Sequence, residues 1–185
     1  DGAGDQNYLP GITPLQYLIK FENVDSAPAA AQQVFIYDTL DTNVLDLSTF
    51  AFGAVGFGAD YAGSGNPGSP SLDVNIPMPD SGLVVNVTGE LDRETGIATW
   101  TFTSLDEATM QLTNDPWTGF LPPNQNAPEG EGWVFFTVTP LVEITTGTQI
   151  DNQATIVFDA EKSITTPVWT NVLDDEAPAS SVQPI

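Results

Sequence analysis

Residues 82–105 read GLVVNVTGELDRETGIATWTFTSL. Two runs, 82–91 and 96–105, flank the turn Asp92-Arg93-Glu94-Thr95. In the second run Trp100 and Phe102 alternate with Thr99, Thr101 and Thr103. That period of two belongs to a β-strand, and Gly96 suits the left-handed position of a bulged turn. The segment reads as a β-hairpin.

The rest of the chain repeats the pattern. LQYLIKFE (15–22) sets Leu15, Tyr17, Ile19 and Phe21 against Gln16, Leu18, Lys20 and Glu22. QVFIYD (33–38) is a second strand, and residues 44–57 are a third apolar region centred on DLSTFAF. LDVNIPM (72–78) is an edge strand, because Pro77 and Pro79 cannot donate to a ladder. WVFFTVTPLV (133–142) and TQIDNQATIVFD (148–159) follow, then a short strand and an acidic, proline-rich tail. Residues 58–71 and 114–132 read as long loops. Sixteen Gly and fifteen Pro leave little room for long helices. The reading is an all-β, immunoglobulin-like antiparallel β-sandwich of about 7–9 strands with long loops. Residues 1–172 form one domain and residues 173–185 an interdomain linker. No internal repeat at a fixed period is present.

Composition narrows the function. Twenty-five Asp and Glu face three Lys and Arg, a net charge of −22. Phosphate binding needs a basic surface, so nucleic acid is excluded as a partner and anionic membranes repel the chain. Cysteine and histidine are both absent. That removes disulfides, thiolate nucleophiles, Ser-His-Asp triads and His-ligated zinc. No nucleophile elbow, P-loop or HExxH occurs, and carboxylate pairs are too abundant here to point to glycoside hydrolysis. The chain reads as non-catalytic. No apolar run of 18 residues calls for membrane insertion, and the start at Asp1 reads as an excised piece or a mature product.

LQYLIKFEN followed by VFIYDTLDTNVLDLSTF resembles the opening of the conserved repeat domains of large secreted bacterial surface proteins. Those domains carry a YxIxFxN strand and then V-x-D-x-LD. GTQIDNQATIVFDAEKSITTPVWTN (147–171) resembles their closing stretch, GTxIxNxAxIxFDxNxPIxTPxxxN. Asn152, Ala154, Ile156, Phe158, Asp159, Thr166 and Pro167 stand in register. Glu161 and Ser163 replace the usual Asn and Pro, which puts the local turn geometry in question. The matches span residues 15–50 and 147–171. The resemblance implies a secreted or cell-surface β-sandwich spacer or accessory module, partnered by neighbouring domains of its own polypeptide.

Uncompensated negative charge also fits bound Ca²⁺, which takes carboxylate and carbonyl oxygens. Glu22, Asp25, Asp38 and Asp41 end two strands and are the first candidate ligands. Asp174, Asp175 and Glu176 are the second set; they resemble the acidic, proline-ended linkers of cadherin-type repeats. Against this, Asp and Asn commonly cap turns through their own backbone, and no EF-hand loop is present. A carbohydrate-binding module is the alternative function. Trp117 and Tyr61 lie in loops that otherwise lack bulk, and flat aromatic faces stack on sugars; a Trp117 loop folded as a lid is the competing reading. Trp100, Trp133 and Trp169 sit in strand patterns and are expected in the core.

Overall fold

The computed structural model describes residues 2–5, 7–11, 13–59, 61–64 and 69–174. Among these residues thirteen strands form: β1 (Tyr8–Pro10), β2 (Leu15–Glu22), β3 (Gln33–Thr39), β4 (Leu45–Phe57), β5 (Tyr61–Ser64), β6 (Ser71–Met78), β7 (Leu83–Asp92), β8 (Ile97–Asp106), β9 (Glu131–Pro140), β10 (Gln149–Asn152), β11 (Ala154–Phe158), β12 (Ile164–Thr165) and β13 (Trp169–Asp174). A six-stranded sheet runs β12-β11-β3-β8-β7-β6 and a four-stranded sheet runs β2-β9-β4-β5. A three-stranded sheet, β1-β13-β10, completes the β-sandwich.

The alternation in the sequence becomes the alternation of burial. Ala98, Trp100 and Phe102 of β8 are fully buried, and the intervening threonines are half-exposed. Opposite them Phe50 and Phe52 of β4 and Phe136 of β9 close the core. The Trp100 ring lies 5.1 Å from Phe52 and 5.4 Å from Phe136. Such offset and edge contacts each add about 0.5–1.5 kcal/mol beyond area burial. The register of β4 against β9 shifts at Asp46/Ala51 and again at Phe52/Val55. These irregularities let Phe50, Phe52, Val55 and Phe57 all face inward along one thirteen-residue strand.

The hairpin of β7 and β8 forms as its sequence predicts. Asp92 accepts hydrogen bonds from the Glu94 amide (2.9 Å) and the Thr95 hydroxyl (2.8 Å). Gly96 takes φ +76°, and a Cβ there would stand 2.4 Å from the Leu40 carbonyl oxygen. β6 is the outer edge of its sheet, the position its prolines demand.

The structure departs from the sequence reading in four places. The glycine-rich segment contains β5, whose Tyr61 pairs with Phe57 in a hairpin. The single strand expected over 148–159 breaks at Gln153, so that β10 joins β13 and β11 joins β3. The loop at 114–132 carries Phe120 and Leu121 into the core, where the Phe120 amide donates to Ser104 Oγ at 3.0 Å. Finally, β13 continues to Asp174, with Leu173 fully buried where the sequence reading placed tail residues.

Candidate functional site

The proposed calcium ligands are not brought together. Phe21, beside Glu22, packs at 5.4 Å on Phe102, the partner of Val34 at the start of β3. Glu22 and Asp25 therefore sit at the pole where β3 begins. Asp38 and Asp41 lie at its other end, about 20 Å away at the usual strand rise. Among the described residues no group of three or more acidic side chains is placed to hold a metal ion. Glu22 accepts a hydrogen bond from Asn124 Nδ2 at 2.7 Å, and Asp25 is exposed in a turn. Asp41 caps its own turn, accepting from the Asn43 amide and Asn43 Nδ2, both at 2.8 Å. A single four-ligand site is therefore ruled out by geometry. Asp174 ends β13, and Asp175 and Glu176 lie outside the described residues.

Other aspartates have the same turn-capping work. The Ser48 hydroxyl lowers the Asp46 carboxyl, the Thr95 hydroxyl that of Asp92, and the Thr109 hydroxyl that of Asp106. For Asp115 the Trp117 amide is the main cause.

Asp38 is different. It follows Val34 and Ile36 on the inward face of β3 and is fully buried. Its Oδ2 accepts from Asn152 Nδ2 at 2.8 Å. Asp38 Oδ1, Asn152 Oδ1 and the Tyr17 hydroxyl are buried without partners. Burial pushes the Asp38 carboxyl up to about 7, against the opposing effect of the Asn152 bond. Burial first, then the Asp38 and Asp151 charges, also push the Tyr17 hydroxyl up. Two of the orphaned atoms, Asp38 Oδ1 and Asn152 Oδ1, are pure acceptors while Asp38 is ionised. A proton on Asp38 supplies the donor that this pair lacks and removes a buried charge. Asp38 is thus a buried acid bonded to Asn152.

The aromatic candidates also divide. Tyr61 stacks on Phe57 at 5.2 Å with 12° between the rings and packs against the core, so one of its faces is taken. Tyr61 thus stands on a strand and not in the loop expected for it. Trp117 is 69% exposed. Its loop is pinned: Asp115 accepts from the Trp117 amide (3.0 Å), and Gln32 Nε2 donates to the Asp115 carbonyl (2.7 Å). Trp100 is core as expected, and Trp133 is half-buried. Trp169 is not core: it stands at the first residue of β13 and is 46% exposed. Period-two spacing predicts a shared face but not where the covering layer ends.

The chain ends of the sandwich form a second arrangement. β1 lies parallel to β13 in the register Tyr8↔Val172, Leu9↔Leu173 and Pro10↔Asp174. Asn7 Nδ2 donates to the Thr170 carbonyl (3.0 Å), Asn171 Nδ2 to the Asn7 carbonyl (3.0 Å), and the Gly11 amide to the Asp174 carbonyl (3.2 Å). Leu9 and Leu173 are both buried beneath this pairing. On its other side β13 pairs antiparallel with β10.

Residues 84–172, from β7 into β13, match the family described as Domain of unknown function (DUF7619). No curated protein matches the chain. Among solved structures, it is similar to a collagen-binding domain from a Staphylococcus aureus adhesin, at 11% identity over 87% of each chain and a TM-score of 0.40.

Proposed function

We propose that this chain is a non-catalytic, load-bearing β-sandwich module of a secreted or cell-surface protein, spacing or presenting the domains beside it. The observation that carries this reading is the parallel pairing of β1 with β13. Tension enters β1 before Tyr8 and leaves β13 after Asp174. Because the strands are parallel, the two ends are pulled in opposite directions along the strand axes. The hydrogen bonds between them are then loaded together, in shear, and none can open until several give way. Forced unfolding is governed by the unfolding barrier, not by equilibrium stability, so such a clamp suits a tether. The absence of cysteine puts more weight on it, since no disulfide can hold the ends. The acidic surface keeps such a unit soluble and non-adhesive to other polyanions. Calcium remains a proposal, with the run Asp174–Asp175–Glu176 as its ligands. The test is stretching of the chain between handles placed before Tyr8 and after Asp174. The reading expects one cooperative, high-force event; peeling of the ends at low force would contradict it.

A further inference from the structure

Four surface grooves differ in one chemical respect. Three include carboxylates: Glu22, Asp159 and Glu161 in one, Glu90 and Asp92 in another, and Asp174 in the third. The fourth, about 500 Å³ in volume, has none, although the chain carries 25 acidic residues. It runs along residues 16–20 of β2, the outer strand of the four-stranded sheet, and is closed on the other side by Gln153, Pro167 and Trp169. Its polar groups are amides, a hydroxyl and the Lys20 ammonium; its apolar surface comes from Leu18, Pro167 and Trp169.

Trp169 is held in place there. Its indole Nε1 donates to Asn171 Oδ1 at 3.1 Å, and Asn171 is buried and bonded in turn to the Asn7 carbonyl. The ring's only donor is therefore spent internally. What remains exposed is a fixed π face, which costs little conformational entropy to use. A π face beside amides and an ammonium suits a ligand that is apolar on one side and hydroxylated at its rim, as a pyranose ring is.

We propose that this groove binds a neutral polysaccharide, with a sugar ring stacked on Trp169 and its hydroxyls meeting Lys20 and the Gln153 side-chain oxygen, whose amide nitrogen already donates to the Thr166 carbonyl at 2.7 Å. A polyanionic glycan is disfavoured by the −22 charge of the chain, which the single Lys20 does not offset. A long open groove fits a chain of sugars better than a single ring, and it places the binding surface at the start of β13, where Asn171 joins Trp169 to the β1·β13 clamp. The site is distinct from Trp117 and does not depend on the load-bearing role.

The test is affinity electrophoresis of the whole chain in gels containing mixed-linkage β-glucan, xylan, galactomannan or soluble starch, with polygalacturonate as the anionic arm. Calorimetry with the matching hexasaccharide follows. Retardation by at least one neutral polysaccharide is expected. Trp169→Ala should weaken binding by about tenfold, the loss of one stacking contact. Trp169→Phe should retain part of it, and Trp117→Ala should leave it unchanged. Unfolding curves of each variant separate lost binding from lost fold. No retardation by any neutral polysaccharide, retardation by polygalacturonate alone, or binding that is undiminished by Trp169→Ala or disappears with Trp117→Ala would each overturn the proposal.

Discussion

Replacing Asp38 by Asn tests the buried acid directly. The folded chain holds the Asp38 carboxyl at about 7, against 3.8 for the free side chain. Below pH 3.8 the group is protonated in both states and contributes no pH dependence. Between there and pH 7 the unfolded chain releases a proton that the folded chain keeps. Stability therefore falls as pH rises through this window and levels off above it. At 1.36 kcal/mol per pH unit the loss is roughly 4 kcal/mol by pH 8. Asparagine is neutral throughout and carries both a donor and an acceptor. It can accept from Asn152 Nδ2 as Asp38 does and donate to the orphaned Asn152 Oδ1. The variant should match the parent within about 1 kcal/mol at pH 4.5 and exceed it by up to about 4 kcal/mol at pH 8. For a chain of this size that is a rise in Tm of about 8–16 °C at pH 8. The assay is reversible urea unfolding at both pH values, followed by tryptophan fluorescence, with a check that the m-value is unchanged. Burial holds the Tyr17 hydroxyl well above this window, and asparagine at position 38 removes the only group of the cluster that burial brings into it. Equal destabilisation by Asp38→Asn at both pH values would refute the reasoning, as would an Asp38 carboxyl that titrates near 4 by carbon NMR.

Two further outcomes follow from individual residues. Asn23 donates from Nδ2 to the carbonyls of Ala29 (3.0 Å) and Leu121 (2.9 Å), tying the 114–132 segment to the end of β2. Asn23→Ala should cost about 1–3 kcal/mol in urea unfolding, because it removes two hydrogen bonds at about 0.5–1.5 kcal/mol each, although the Leu121 carbonyl keeps the Ala31 amide as a donor (2.9 Å); a change within 0.5 kcal/mol, roughly the surface-substitution range, would show that the segment is held without Asn23. Thermal unfolding in EDTA and in millimolar Ca²⁺ tests the remaining calcium proposal, at Asp174, Asp175 and Glu176. A site filled to 100 times its Kd adds about 2.7 kcal/mol, or roughly 5–11 °C. An equal rise with Mg²⁺ or Na⁺ at matched ionic strength is screening and would remove the proposal.

The hairpin of β7 and β8 was legible because two facts agreed, a strict period of two and a turn whose Asp92 and Gly96 suit its geometry. β6 was placed at an edge by its prolines alone. β1, β5 and β12 were not legible: strands of two to four residues hold no full period, the partner of β1 is distant in the chain, and β5 itself lies inside a glycine-rich stretch. The switch at Gln153 left the inward positions Ile150, Asn152, Ala154 and Ile156 in step, so the pattern gave no sign of a change of sheet. The burial of Asp38 was missed although a signal was present. It shares parity with Val34 and Ile36, as Tyr17 does with Leu15 and Ile19, and parity alone places both in the interior. The groove and the exposed face of Trp169 depend on where one sheet stops covering another, which local spacing does not encode.

The most direct test of the load-bearing account compares two pulling geometries in a single-molecule force experiment. In the first, handles before Tyr8 and after Asp174 load the β1·β13 pairing in shear. In the second, a cysteine handle at Thr13 replaces the N-terminal one, so that tension bypasses β1. The account predicts a clearly higher unfolding force in the first geometry, with the same equilibrium stability in both. Equal forces in the two geometries would mean that the parallel pairing carries no load, and the account would fail.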